Sequence, residues 1–147
     1  MPTNLYGPND NFNLETSHVF AAFIRKFHEA KIQNHSEVKL WGTGAPKREF
    51  LHVDDLADAL VFLMKIYNSS SIINIGTGED ISIIDLAKNI QKVVGYKGII
   101  KWDKSMPDGT LRKWLDVSKI NDLGWKANTS LLKGIEMTYD WYSRNFS

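Results

Sequence analysis

The sequence has no cysteine among its 147 residues. This absence excludes disulfide bonds, a zinc site with thiolate ligands, an iron–sulfur cluster and a thiol nucleophile. The sequence also has no apolar run of the roughly 18 residues needed to cross a membrane. Its opening Met-Pro-Thr-Asn lacks the pattern of a signal peptide. We therefore predict a cytoplasmic protein without membrane contact.

An excess of one sign of charge is lacking as well, because 18 lysine and arginine residues balance 17 aspartate and glutamate residues. A general nucleic-acid binder carries a surplus of basic residues, so we predict no nucleic-acid partner. The histidines His18, His28, His35 and His52 do not pair at i and i+4 with a set of acidic residues. We therefore predict no metal site.

What the sequence does contain is the periodicity of a mixed α/β domain. The spacing of apolar residues predicts helices over 18–33, 56–67, 82–94 and 118–123, and a last helix after Ser130. Short apolar or alternating runs predict strands over 38–41, 48–53, 72–75 and 98–102, with a polar loop over 1–16. The predicted caps are Ser17, Asp54 or Asp55, Ser82 or Asp85, Gly95 and Ser130. In the second helix the residues predicted to face inward are Leu56, Leu60, Leu63 and Met64.

Two similar triplets, Gly42-Thr43-Gly44 and Gly76-Thr77-Gly78, have the composition of phosphate-binding loops. Neither completes the pattern G-x-G-x-x-G, and neither directly precedes a predicted helix. We interpret both as turns at strand ends, where glycine supplies backbone freedom.

Three groups of polar residues are candidates for ligand binding, and each has a structural alternative. His18 opens a predicted helix on which two cations, Arg25 and Lys26, follow about 10 to 12 Å along the axis. This spacing is suitable for proton transfer beside a phosphorylated ligand. The alternative is that these residues form an ordinary solvated basic face of the helix. Trp41 and Arg48 can cover a sugar or base and grip a phosphate, or be a core tryptophan and a surface arginine. The loop 103–113 is either an exposed turn or a polar rim.

Longer motifs make the sequence similar to a known family. They are Pro-Thr-Asn-Leu-Tyr-Gly-Pro-Asn-Asp-Asn-Phe at 2–12, Ser-His-Val at 17–19, Trp-Gly-Thr-Gly at 41–44, Arg-Glu-Phe-Leu-His-Val-Asp-Asp-Leu-Ala at 48–57 and Pro-Asp-Gly-Thr-Leu-Arg-Lys at 107–113. With them the chain resembles the GDP-L-fucose synthases, which are epimerase-reductases of the extended short-chain dehydrogenase superfamily. The resemblance covers essentially the whole chain.

The resemblance implies that the chain is the C-terminal half of such an enzyme, inactive without the N-terminal Rossmann half. In the family that half carries a Gly-rich dinucleotide loop, a Tyr-x-x-x-Lys pair and a catalytic cysteine, and this sequence has none of them. We expect residues 1–147 to form one small mixed α/β substrate-binding domain. Residues 1–16 would be a loop near the nicotinamide, and residues 17–147 the body. The implied partners are the missing half, which makes the family's homodimer, and a GDP-sugar.

The resemblance also implies roles for individual residues. His18 matches the family's proton donor and acceptor in epimerisation, where its partner is the cysteine absent here. The segment that passes the nicotinamide of NADP(H) in the family is matched by Pro2, Thr3, Asn4 and Leu5, with His18 close by. The positions that match binders of GDP-4-keto-6-deoxymannose or GDP-fucose are Lys26, Trp41, Arg48, Asp108 and Lys113.

The sequence is compatible with three functions. The first is an enzyme part that epimerises carbons 3 and 5 of GDP-4-keto-6-deoxymannose and reduces carbon 4 with NADPH. The second is a stand-alone nucleotide-sugar-binding module without catalysis. The third is part of another NDP-sugar epimerase or dehydratase, a class that shares the motif at 48–57. The motifs at 2–12 and 17–19 favour the first function.

Overall fold

Short strands alternate with helices in the structure of the protein, a computed structural model that describes residues 1–146. The strands are β1 (Asn4–Tyr6), β2 (Glu37–Trp41), β3 (Lys47–Arg48), β4 (Phe50–His52), β5 (Ile81–Ser82), β6 (Ile99–Asp103) and β7 (Arg112–Lys113). The helices are α1 (Val19–Ile32), α2 (Val53–Ile66), α3 (Ile83–Val94), α4 (Ser118–Asp122) and α5 (Leu131–Asn145). The predicted mixed α/β fold is confirmed.

Most strand pairings are parallel. β1 pairs with β4, and β2 pairs with β6 along five residues each. β3 lies between antiparallel β5 and parallel β7, so that Arg48 has Ile81 on one side and Lys113 on the other. Through these pairings, residues distant in sequence meet beside β3.

Two clusters of buried side chains form the core. The larger one lies among α1, α3 and α5, and the Tyr6 ring at the end of β1 stacks on Phe20 with centroids 4.1 Å apart. The smaller one joins β4, α2 and α4 through Leu51, Leu63 and Ile120. Because Tyr6 packs on the first turn of α1, the end of β1 and the start of that helix share one region of the molecule.

Three predicted helix ends are confirmed and two are wrong. The Ser82 and Ser130 hydroxyls cap α3 and α5, and Gly95 ends α3 with a φ of 76°. The cap position of α1 is His18 rather than Ser17, and its side chain makes no capping hydrogen bond. α2 begins earlier than predicted because His52, instead of an aspartate, accepts from the Asp54 N–H.

Three strand predictions differ from the structure. Residues 1–16 are not loop throughout, because Asn4–Tyr6 pairs with β4. The predicted strand 48–53 divides at Glu49 into β3 and β4, which belong to different sheets. Of the predicted strand 72–75, only Ile75 pairs, in an isolated bridge with Pro2. In each case the decisive factor is a pairing partner distant in sequence, which local periodicity does not reveal.

One face of α2 is apolar and exposed. Leu63 is buried as predicted, but Leu60 and Met64 are 49% and 86% exposed, so their predicted inward orientation is wrong. Val61 beside them is 51% exposed. Within residues 1–146, no helix is long and apolar enough to cross a membrane.

Gly134 leaves no room for a side chain in α5. A Cβ at this position would collide with the hydroxyl and ring of the buried Tyr6. We expect Gly134→Ala to lower the free energy of unfolding by about 1 to 3 kcal/mol through overpacking, although alanine is the better helix former by about 1 kcal/mol. Urea denaturation measures the effect.

The exposed neighbour Lys133 provides the matched control for Gly134. Lys133→Ala is expected to change stability by less than about 0.5 kcal/mol. A Gly134→Ala variant as stable as the original chain would contradict the close contact between α5 and Tyr6.

Candidate functional site

A cavity of about 260 Å³ opens between α1, the turn from β2 to β3, and the loop before β7. Its lining residues are Leu14, Ser17, Val19, Ala22, Phe23, Lys26, Trp41, Gly44, Pro46, Arg48, Ile83, Pro107 and Asp108. Four of the five residues predicted to bind a substrate, namely Lys26, Trp41, Arg48 and Asp108, are among them. The fifth, Lys113, does not line the cavity.

Lys26 and Trp41 form one side of the cavity. Lys26 lies two turns into α1, and its Nζ is 5.5 Å from the centre of the Trp41 ring. Its ammonium also donates to the Lys39 carbonyl at 3.3 Å, and burial lowers the pKa of Lys26. Trp41 is the last residue of β2 and is 60% exposed, so it is a rim residue and not part of the core.

Arg48 supplies a second cation from β3. Its Nη1 donates to the Lys47 carbonyl at 2.7 Å, which orients the guanidinium. Lys113 is the register partner of Arg48 across the parallel pairing with β7. Register partners in parallel strands carry their side chains on the same face, so Lys113 is an exposed neighbour of Arg48 beside the cavity.

Asp108 is held at the cavity by the first Gly-Thr-Gly turn. The Thr43 N–H and hydroxyl each donate to its carboxylate at 2.6 Å. These bonds hold the pKa of Asp108 below its usual range. A Cβ at Gly42 would collide with the same carboxylate. The turn at 42–44 therefore already binds an internal anion.

The second Gly-Thr-Gly turn holds another carboxylate, that of the fully buried Glu49. The N–H groups of Thr77 and Gly78 donate to one oxygen at 2.7 and 2.8 Å, and the Leu115 N–H donates to the other at 3.0 Å. A Cβ at Gly76 would collide with Glu49. Both triplets are turns, as predicted, but each one is built around a carboxylate distant in sequence.

His18 lies beside the cavity, since its neighbours Ser17 and Val19 both line it. The side chain is exposed, and an imidazole can both donate and accept a proton. Asp10 is the nearby acid: burial raises the pKa of its carboxyl, while the Asn11 N–H and the charge of His18 oppose that shift.

Ser17 is the polar cavity residue that the sequence assigned to a different role. Its hydroxyl was predicted to cap α1, but the buried Oγ has no hydrogen-bond partner within the described residues. A hydroxyl at the cavity wall that is free of internal bonds can bond a ligand. Leu14 was also missed, because an apolar residue in a loop gives no sequence signal for a cavity, and Pro107 was considered only as part of the loop 103–113.

Two cations, an exposed indole and one carboxylate thus surround the cavity. Lys26 and Arg48 can neutralise and bind phosphate oxygens, the guanidinium through paired hydrogen bonds. The open face of Trp41 can cover a sugar or base. The arrangement suits an anionic ligand with a planar or sugar part.

Comparison with known proteins decides the family. The sequence model described as "NAD dependent epimerase/dehydratase family" matches residues 1–76, just over half of the chain. The chain belongs to this family.

Individual relatives show the homology predicted from the motifs. The chain is 55% identical over 145 residues to "Probable GDP-L-fucose synthase 1" of Oryza sativa, and 50% identical over 154 residues to "GDP-L-fucose synthase" of Escherichia coli. Each match covers 99% of the chain but 44% and 48% of those relatives. The chain therefore spans about half the length of the curated relatives it matches.

A solved structure confirms the fold. The GDP-L-fucose synthetase from Naegleria fowleri bound to NADP superposes with a TM-score of 0.93 and is 32% identical. The match covers 99% of this chain and 46% of that one. The mixed α/β fold of the chain thus matches part of the extended short-chain dehydrogenase fold.

The segment 2–5 of this family member has its side-chain donors occupied. The Thr3 hydroxyl and the Asn4 amide both donate to the Glu49 carbonyl, at 3.3 and 2.7 Å. Pro2 bridges to Ile75, and Leu5 is half-buried in β1. The segment can therefore present backbone and apolar surface to a cofactor, while its polar side chains stabilise the fold.

Proposed function

We propose that this chain is the GDP-sugar-binding part of a GDP-L-fucose synthase. Such an enzyme epimerises GDP-4-keto-6-deoxymannose at carbons 3 and 5 and reduces carbon 4 with NADPH, giving GDP-L-fucose. The observation that carries the proposal is the convergence of Lys26, Trp41, Arg48 and Asp108 on one cavity. The homology to GDP-L-fucose synthases supports the identity of the ligand.

The GDP part is proposed to bind through charge and stacking. Lys26 and Arg48 bind the diphosphate, and Lys113 adds positive charge from the neighbouring strand. Trp41 covers the guanine or the sugar, and Asp108 accepts from their N–H or O–H groups. This division of roles follows from the chemistry of each side chain at the rim.

His18 is proposed to move the epimerisation protons. The 4-keto group acidifies carbons 3 and 5, so that one group can withdraw a proton while another returns one from the opposite face. The exposed imidazole of His18 beside the cavity supports this role. In the GDP-L-fucose synthases its partner is a cysteine, which this sequence lacks, so we propose that the partner lies in the rest of the enzyme.

NADPH, when bound, supplies the hydride that reduces carbon 4. The family name fits a dinucleotide cofactor, and segment 2–5 with His18 is proposed to face its nicotinamide end. The sequence has no G-x-G-x-x-G loop, and we propose that the pyrophosphate of the cofactor is held by the other half of the enzyme, which carries this loop in the family.

The missing segment is proposed to be a Rossmann half that packs on α2. The exposed Leu60, Val61 and Met64 form an apolar face of the kind that marks an interaction surface. The greater length of the relatives supports such a partner segment. The same proposal includes a homodimer formed through that half and a cytoplasmic location. It also includes the division of the chain into a cofactor-proximal segment, residues 1–16, and a body, residues 17–147.

The proposal is tested by comparing the affinity of GDP for the original chain with its affinity for the Arg48→Ala variant. We expect Arg48→Ala to raise the dissociation constant of GDP roughly 10- to 100-fold, because a charge-assisted bidentate contact is lost. Isothermal titration calorimetry at low and physiological salt measures the effect.

The adjacent cation Lys47 serves as the control. It is exposed and, one residue along β3, points to the opposite face of the strand. Lys47→Ala should leave the affinity for GDP within about twofold, since screened surface charges contribute little. Absence of GDP binding by the original chain, or equal effects of the two substitutions, would refute the proposed site.

A further inference from the structure

The turn Gly42-Thr43-Gly44 does more than redirect the chain, because its Thr43 binds a side-chain carboxylate. It follows β2 directly, and its Thr43 meets Asp108, which is 65 positions away in the chain. Asp108 and the preceding Pro107 are the residues that the loop before β7 contributes to the cavity wall. The contact with Thr43 thus joins this loop to the turn after β2.

Thr43 makes the contact with both of its donors. Its N–H bonds Oδ1 and its hydroxyl bonds Oδ2, both at 2.6 Å. Bonds to an ionised acceptor are short and about twice as strong as neutral ones. Gly42 permits the approach, because any Cβ there would collide with the carboxylate.

The contact between Thr43 and Asp108 is more exposed to solvent than the comparable contact at Glu49. Glu49 is fully buried, and its bonds to Thr77, Gly78 and Leu115 tie parts of the core together. Asp108 is only partly buried, and the residues on either side of it are exposed. Loss of the Thr43 bond therefore changes the loop beside the cavity rather than the fold.

We propose that Thr43 is a positioning residue of this cavity: it holds Asp108 and Pro107 at the cavity wall, so that ligand binding depends on Thr43 through Asp108. A wall held in place before the ligand arrives avoids the entropy cost of ordering the loop upon binding. When the wall is formed only part of the time, the apparent affinity falls by the same fraction.

A double-mutant cycle that measures GDP affinity tests the proposal. The choice of GDP as the probe rests on the proposed function. We expect Thr43→Val to weaken GDP binding roughly tenfold, because the hydroxyl bond to a charged group is lost. Asp108→Ala should weaken binding at least as much. The double variant should bind no more weakly than Asp108→Ala alone, since Thr43 acts through Asp108.

Two further variants serve as controls. One changes the size of the Thr43 side chain but keeps its hydroxyl, and the other removes a hydroxyl elsewhere in the loop. Thr43→Ser keeps the hydroxyl and should restore binding to within about threefold of the original chain. Thr110→Val removes an exposed hydroxyl from the same loop and should have no effect on the affinity. The proposal would be overturned if the fold-losses in GDP affinity caused by Thr43→Val and Asp108→Ala multiplied in the double variant. It would also be overturned if Thr43→Ser weakened GDP binding as much as Thr43→Val.

Limited trypsin digestion gives a readout that does not depend on GDP. Lys104 is exposed in the same loop, and cleavage after it should be several-fold faster in Thr43→Val and Asp108→Ala than in the original chain. Unchanged cleavage overturns the positioning role whether or not GDP binds. If the original chain binds no GDP but cleavage accelerates as expected, the proposed function fails while the hold of Thr43 on the loop is supported.

Discussion

Replacing Glu49 with glutamine is expected to lower the free energy of unfolding by about 2 to 4 kcal/mol. The carboxylate is fully buried, and its two oxygens accept from three backbone N–H groups, those of Thr77, Gly78 and Leu115. A glutamine amide has one accepting oxygen, so its NH₂ must face at least one N–H donor. An unsatisfied buried donor costs about 1 to 3 kcal/mol, and the loss of charge weakens the remaining bonds.

Urea denaturation of the two chains measures the change, with the m-value as a check that unfolding remains two-state. Glu79, which is exposed and lies just after the same turn, provides the matched control. Glu79→Gln should change stability by less than about 0.5 kcal/mol. If Glu49→Gln were equally mild, the buried carboxylate would not hold the three segments together.

Replacing His18 with alanine is expected to reduce epimerisation about 10²- to 10⁴-fold, the usual contribution of a general acid–base group. The measurement requires the Rossmann half, so this chain is to be combined with the remaining half of the Escherichia coli relative. Incorporation of deuterium at carbons 3 and 5 of the GDP-sugar reports proton exchange, separately from reduction at carbon 4.

Binding and catalysis should separate in this variant. His18 is exposed beside the cavity rather than among its lining residues, so GDP affinity should stay within about threefold. His35 is an exposed histidine outside the cavity lining and provides the control. The His35→Ala variant should incorporate deuterium at carbons 3 and 5 at the original rate. A binding module without catalysis would show GDP binding but no product or exchange in the combined protein.

Local chemistry was enough for the elements whose stability is local. The Ser82 and Ser130 caps and the Gly95 stop lie within one helical turn of the residues they stabilise. β2 alternates exposed and buried residues and β6 begins with two isoleucines, so each was recognisable as a strand from its own residues. Predictions failed where a distant partner decides. β1 depends on β4, the division at Glu49 sends β3 and β4 to different sheets, and Leu60 and Met64 of α2 are exposed.

The candidate site divides in the same way. Residue type and motif identified Lys26, Trp41, Arg48 and Asp108, and the structure brings them to one cavity. Local sequence does not reveal that Lys113 lies outside the cavity lining as the strand neighbour of Arg48. Local sequence also suggested a cap role for Ser17, whose hydroxyl has no hydrogen-bond partner among residues 1–146 and lies at the cavity wall.

The sequence by itself determined the absence of cysteine, the mixed α/β class, the family motifs and the chemistry that each side chain can supply. Only the tertiary structure decided what the two Gly-Thr-Gly triplets do. Thr43 binds Asp108 at an open rim, whereas Thr77 binds the buried Glu49. The physical reason is that a hydrogen bond depends on distance in space, and these carboxylates lie 65 and 28 positions from their donors along the chain.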